Sequence, residues 1–499
     1  MIHLPLADDI TLALYLLLMA VLGSAFYRKR STARDFFLGG RSMGWLPVGI
    51  SIVAADLSAI SVMGSPAWVF RNNLTLIWVT VGYPLMAPIV LMVFVPLYSR
   101  LNLYTAYEFL EQRFSLSVRR VASGLFQLLR GWHVAVALYG PALVIHLITR
   151  MTIAECVVVM GLFATIYTAL GGIKAVVWTA VVQFVTVMAG ILLIFAVALH
   201  GVPGGLHAVW TVNQEAGRLR LFDFSLKASD VTSFWACLLG GAFLSLGPLT
   251  TDQVVLQRLF SSKSRRDFRQ SVLLQATLIV PVIAMLNAIG LVLFAYYHAH
   301  PARLAPLHNL DAVVPFFVLT ELPAGLAGLV VAAIFAASMS VMSAGISALT
   351  TAFTVDFYAR SIRPRASSEH YASVGRIGTV AWGGIVTVLA LFAGRAGDLA
   401  IAYSRVSSAI VGPMLGIFLL GVGSRRAHGR GVLIGATVGA LSVLTMMLAT
   451  DWSFFYFGGI GTFATWITGY CASRIVRAPE QEGDAWMVLD SQSASRMQD

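Results

Sequence analysis

Thirteen long apolar stretches run through this chain, and the cations between them fall almost entirely in every second gap. A helix that crosses the hydrocarbon core needs about 20 predominantly apolar residues. The stretches 8–27, 44–70, 75–98, 115–149, 151–170, 175–200, 231–257, 271–298, 312–355, 377–394, 398–422, 431–449 and 452–473 all suit such a crossing. Two of them, 115–149 and 312–355, are long enough to tilt, bend or run beyond the bilayer. With 58% hydrophobic and 11% charged residues, the chain lacks the charge needed to cover a soluble surface of 499 residues. The pattern predicts an all-α polytopic membrane protein of about thirteen transmembrane helices.

A net charge of +11 suggests a nucleic-acid partner only until its distribution is read. Lys and Arg gather at 28–41, 100–120, 258–269 and 360–376, then at Arg425, Arg426, Arg430, Arg474 and Arg477. These gaps share one side of the membrane if the chain begins outside. The opposite gaps hold scattered cations such as Arg71, Arg150, Lys227, Arg303 and Arg395. Cytoplasmic loops carry this excess, so the expected placement is the plasma (inner) membrane, multi-pass, N-terminus outside and C-terminus cytoplasmic. The expected environment is the lipid bilayer, with no nucleic acid. Asp8 and Asp9 open the first apolar run and Arg28-Lys29-Arg30 follow it, the reverse of a cleaved signal peptide, so 1–30 is read as a retained helix. Cys156, Cys237 and Cys471 have no pair spacing, which gives no disulfide framework or metal site. No zinc-binding His-Glu pair, nucleophile elbow or phosphate loop points to an enzyme. The polar stretch 478–499 reads as a cytoplasmic tail, too short for an attached signalling domain; a transporter-like sensor would need a separate partner.

Two apolar stretches are poorly suited to continuous helix. Residues 49–66 place Asp56 among glycines, serines and Pro66; residues 240–253 place Asp252 after Gly247-Pro248 and Thr250-Thr251. Their starts lie five apolar segments apart. Interrupted segments at matching positions of two five-helix halves mark the site of an inverted-repeat transporter. Small residues also serve plain helix packing, but packing does not need Asp56, whose burial costs roughly 2.5–3.5 kcal/mol on insertion scales. Breaks are expected at 55–58 and 247–251.

Five ordered stretches resemble the sodium:solute symporter family over roughly residues 30–475: Phe36 to Trp45, Gly171 to Thr179 with Gln183, Thr251 to Arg258, Ala332 to Ser340 with Phe353 to Tyr358, and Gly412 to Leu420. The stretches Gly64 to Arg71 and Leu138 to Leu143 lean toward its monocarboxylate, multivitamin and iodide branch. The resemblance implies a leucine-transporter-type fold of two inverted five-helix repeats, placed at 31–200 and 201–423, with two further helices at 424–477. It also implies a sodium ion as co-substrate and no cofactor. Carried over by position, the ion would meet the carbonyls of Ala54, Leu57 and Ala337 and the hydroxyl of Ser340. Oxygen-only ligation suits a hard cation, and a broken helix exposes carbonyls.

This chain departs from the family at two positions. Val341 stands where a second hydroxyl is usual, and Ala180 where a carboxylate is usual. Asp56, an acidic residue shared with proline-carrying relatives, either completes a sodium shell, carries a proton, or caps the broken helix. The coupling ion is therefore Na+ or H+, with facilitated transport also open.

At positions that line the cavity in sugar-carrying relatives stand Ser61, Thr80, Tyr83, Asp252, Thr277 and Arg405, which do not reproduce the sugar pattern and disfavour a hexose. Arg130 lies about ten residues into its apolar stretch, roughly 15 Å deep. Guanidinium groups offer paired planar donors that favour carboxylates. The expected substrate is a small organic anion held by Arg405, with Arg130 as a second anchor or gate; the alternative is that either arginine pairs internally, for example with Asp252 or Asp56. Trp132, Tyr139, Tyr403 and Phe243 are further wall candidates, and His133 and His146 candidate proton relays, though packing is the commoner role.

Overall fold

The computed structural model describes residues 5–27, 31–148, 151–304, 307, 310–393 and 399–476, with only the backbone at several helical positions that include 399–405. Among these residues the ordered elements are helices, with a single isolated bridge between Met43 and Ser262. At the centre stands Leu326–Ala352, which continues in π-helical turns to Ile362. Of its most apolar 18-residue window 94% is buried, against 22% for Leu6–Ala25 and 33% for Ile153–His200, so neighbours surround it on all sides. Its run of Ala, Ser and Gly permits that approach. The helices Leu116–Ile148, Ile153–His200 and Trp45–Asp56 pack against it.

The central helix begins later than its apolar stretch suggested. Residues 312–355 form two helices, Val313–Glu321 and Leu326–Ala352, in place of one long span. Pro323 disfavours helical backbone at Leu322, and Gly325 turns left-handed at φ 87°. The side chain of Asp8, fully buried on the first helix, accepts the amides of Gly325 at 2.7 Å and Gly328 at 2.5 Å. A carboxylate thus caps the positive end of the central helix from 317 residues away.

Stretches 151–170 and 175–200 run together as Ile153–His200, but Gly172 at φ 58°, ψ −158° breaks the helical path between them. A Cβ there would sit 2.8 Å from the carbonyl oxygen of Phe36. A second close approach joins Ile77–Ile89 to Phe234–Thr251, where a Cβ on Gly82 would lie 2.2 Å from the carbonyl of Gly241. Among the described residues nine helices are long and apolar enough to cross a membrane, ten if the bent pair below is one span. That count, below the thirteen expected, takes Ile153–His200 as one helix and omits Leu399–Gly423 and Phe455–Ile475. The helix Gly205–Glu215 lies in a gap where none was expected.

The first expected break is present, and the second lies just beyond its expected interval. Helix Trp45–Asp56 ends at Leu57, with φ −85° and ψ 89°, and resumes as Ala59–Arg71 with Ser58 as its cap. The two pieces are bent by 55°. Phe234–Thr251 stops at Asp252, and Gln253–Phe260 begins beyond it. The helix therefore runs through Gly247-Pro248 and breaks one residue after the expected interval.

Candidate ion and substrate site

Helix termination at Asp56 leaves the carbonyls of its last turn without partners further along the helix. Two residues of that break, Ala54 and Leu57, line a narrow void together with Gln183, Phe184, Val187, Ala336, Ala337 and Ser340. The structure thus brings together the four residues placed by position as carbonyl or hydroxyl donors, from the broken helix and the central helix. The Ser340 hydroxyl is 1% exposed and has no hydrogen-bond partner.

Asp56 does not line this void. It is partly exposed at the break, where Gln275 Nε2 donates to its Oδ2 at 2.7 Å. The Tyr83 hydroxyl faces the same carboxylate, and the Arg130 and Arg258 guanidinium groups both act on its charge. Arg130 itself is ion-paired with Asp252 at the second break, and its Nη1 lies 2.5 Å from His133 Nδ1. Arg130 and Asp252 are 8% and 5% exposed, so the pair is buried. The internal pairing considered for Arg130 is the one found, with Asp252 as partner and His133 as a neighbour beside it.

Asp252 has a second task, because its Oδ1 accepts the Val254 amide at 2.8 Å and starts the short helix. The carbonyls of Thr250 and Thr251 take hydrogen bonds from the hydroxyls of Tyr98 and Tyr107. Those tyrosines explain why the chain can open at Asp252 in a buried place. Arg258 corrects the charge reading: counted among gap cations, it is fully buried, with Nη1 donating to Val254 O at 2.7 Å and Nε and Nη2 without acceptors.

The other expected substrate residues divide. Thr80 is buried, and Ser61 and Tyr83 are half-buried. Ser61 lies beside the capping Ser58, their hydroxyls 3.4 Å apart. Thr277 is exposed and its hydroxyl turns back to Leu273 O at 2.8 Å, so no hydrogen bond joins it to the charged set. The side chains of Arg405 and Tyr403 lie outside the described residues; their helix is Leu399–Gly423. Phe243 packs its ring on Phe463.

Sequence reasoning missed a cluster at the end of the fold that carries the basic gaps. Asp356, fully buried, accepts from Thr105 at 2.6 Å, Ser123 at 2.7 Å and Arg119 Nε at 2.8 Å. Arg119 also meets Glu111 at 2.5 Å, and Glu108 lies 3.7 Å away. Burial pushes the Glu108 carboxyl up to about 7, against the lowering pull of Arg119. Asp356 lay in a stretch quoted for family likeness, which was the available signal.

Two broken helices meeting over buried charges, inside a bundle of membrane-length helices, define a multi-pass membrane transporter. The chain belongs to the sodium:solute symporter family, whose model matches residues 36–439, and its relatives are transporters, not enzymes. It is 33% identical to a sodium/sialic acid symporter of Aliivibrio fischeri, over 94% of this chain and 93% of that one. A sodium-coupled monocarboxylate transporter 2 of Danio rerio is 31% identical, over 83% of this chain and 66% of its own. Among solved structures, a substrate-bound, outward-open Na+-coupled sialic acid symporter matches with a TM-score of 0.90 at 28% identity, covering 96% of this chain and 99% of that one. A nucleobase-cation-symport-1 family transporter shares the fold, with a TM-score of 0.55 at 14% identity.

Proposed function

We propose that this chain imports a small organic anion together with sodium by alternating access. The observation that carries the substrate sign is Arg130, a buried guanidinium at the second helix break whose partner is the protein's own carboxylate, Asp252. A substrate carboxylate competes with Asp252 for the paired donors of Arg130. Ser61, Thr80 and Tyr83 supply hydroxyls to the substrate, and Arg405 acts as a second anchor. Sialic acids and monocarboxylates, named for the relatives, both bear a carboxylate, and an acidic sugar joins simple carboxylates as a substrate class. Sodium sits at the carbonyls of Ala54, Leu57 and Ala337 and the Ser340 hydroxyl, which line one void. The inverted repeats at 31–200 and 201–423, thirteen crossings, the outside N-terminus and the plasma membrane complete this reading.

Uptake into proteoliposomes tests it. A sodium gradient is expected to drive accumulation of a sialic acid or a monocarboxylate, with no accumulation of a neutral hexose. Hexose uptake would overturn the anion assignment. Accumulation that ignores sodium and follows a pH gradient would move coupling to a proton on Asp56, whose hydrogen-bond partner Gln275 is neutral.

A further inference from the structure

The void between the first helix break and the central helix holds an unassigned group. Of the residues that line it, only Ser340 and Gln183 carry side-chain oxygens. Gln183 is fully buried, and neither its Oε1 nor its Nε2 makes a hydrogen bond. Leaving an amide unpartnered in an apolar interior is costly, so such groups are rare without a role. The void is too narrow to admit a water-sized sphere, so a loose water does not satisfy the amide. A bare sodium ion is smaller than a water. The hydroxyls of Tyr15 and Tyr167 face the amide and interact with it, but Tyr167 donates to Met339 O at 3.1 Å and neither hydroxyl makes a hydrogen bond of good geometry to Oε1.

The central helix contributes Ser340 to the same void, and the next residue, Val341, carries no oxygen. We propose that Gln183 is a ligand of the coupling ion and supplies, through Oε1, the side-chain oxygen that Val341 cannot. The inference rests on the sodium reading above and deepens it. An amide oxygen is a neutral, hard donor of the kind that sodium shares with backbone carbonyls. It reaches the void from Ile153–His200, so the ion ties three helices together: that one, the first broken helix and the central helix. The unpartnered oxygens, Ser340 Oγ and Gln183 Oε1, find their partner in the same ion.

Sodium binding to the purified full chain, followed by calorimetry and by sodium-dependent thermal stabilisation without substrate, tests this directly. Gln183→Leu is expected to weaken sodium binding at least tenfold, or roughly 1.4 kcal/mol. Gln183→Glu, which keeps an oxygen, is expected to retain it. Adding Val341→Ser to Gln183→Leu is expected to restore most of the loss, because it returns a hydroxyl beside Ser340. Wild-type sodium affinity in Gln183→Leu would overturn the assignment while leaving sodium coupling intact. Loss in Gln183→Leu without rescue by Val341→Ser or retention in Gln183→Glu would also overturn it, as structural damage. A wild-type chain that binds no sodium would remove the sodium reading itself, and the Gln183 assignment with it.

Discussion

Breaking the Arg130–Asp252 pair from each side separates its structural role from its role in recognition. Both groups are more than nine-tenths buried, so removing one leaves an uncompensated charge, which costs about 3–5 kcal/mol of stability. Arg130→Gln is also expected to remove the proposed charge-assisted hydrogen bond to the substrate, roughly 1.5–3 kcal/mol, or about one to two decades of affinity. Asp252→Asn does the opposite to recognition: it removes the carboxylate that competes with the substrate, so anion affinity rises while the unliganded protein loses stability. Asparagine keeps the cap on the Val254 amide, so the second break itself survives. The double variant Arg130→Gln/Asp252→Asn is neutral and regains most of the stability, but not the affinity. Thermal unfolding in detergent, with calorimetric titration of a carboxylate substrate, reads both quantities. A double variant that binds the carboxylate as tightly as the wild type would refute Arg130 as the anchor. Single variants as stable as the double one would show that the pair is not energetically coupled.

Asp56→Asn is expected to abolish coupled uptake more completely than Ser340→Ala, because it removes the only full negative charge at the first break; transport under matched sodium and pH gradients checks the order. Glu108 sets a pH dependence. The folded chain holds its proton more tightly, near 7 against a usual 4.5, so its stabilising share is complete below about pH 4.5 and is lost as pH rises through 7. The loss is on the order of 3 kcal/mol, and Glu108→Gln is expected to flatten the stability profile between about pH 5 and 8, read by thermal unfolding. Gly241→Leu is expected to force apart the helices Ile77–Ile89 and Phe234–Thr251, since even a Cβ there would lie 2.2 Å from the Val79 carbonyl; a fully folded, active variant would contradict that packing.

The first break was legible because Asp56 and the small residues around it have no ordinary place in an apolar helix. The second was legible in kind but displaced to Asp252. Gly247 and Pro248 are weak helix formers on paper, yet what decides the position is long-range: Asp252 caps the next helix, and tyrosines from two distant segments take the Thr250 and Thr251 carbonyls. The split at 322–325 was readable from Pro323 and Gly325 and was hidden by the apolar residues on either side. Arg258 misled because a cation near a helix end usually lies in a loop, while its burial follows from a short helix that hydropathy cannot resolve. Gln275 carried no local signal and Gln183 only its place in a family-like stretch; an amide in an apolar stretch shows its use only when the helices are assembled.

The Asp8 cap changes how the first helix is to be regarded in protein engineering. By position it stands before both proposed repeats and invites truncation. Yet its carboxylate holds the amides of Gly325 and Gly328, at the start of the same helix that carries Ala337 and Ser340 to the ion void. A shortened chain would leave that end of the central helix without its anion, and the damage would surface as weak ion binding more than ten residues further along. Homologous designs that graft or delete this helix therefore have to carry an acceptor for the Gly325 turn with them.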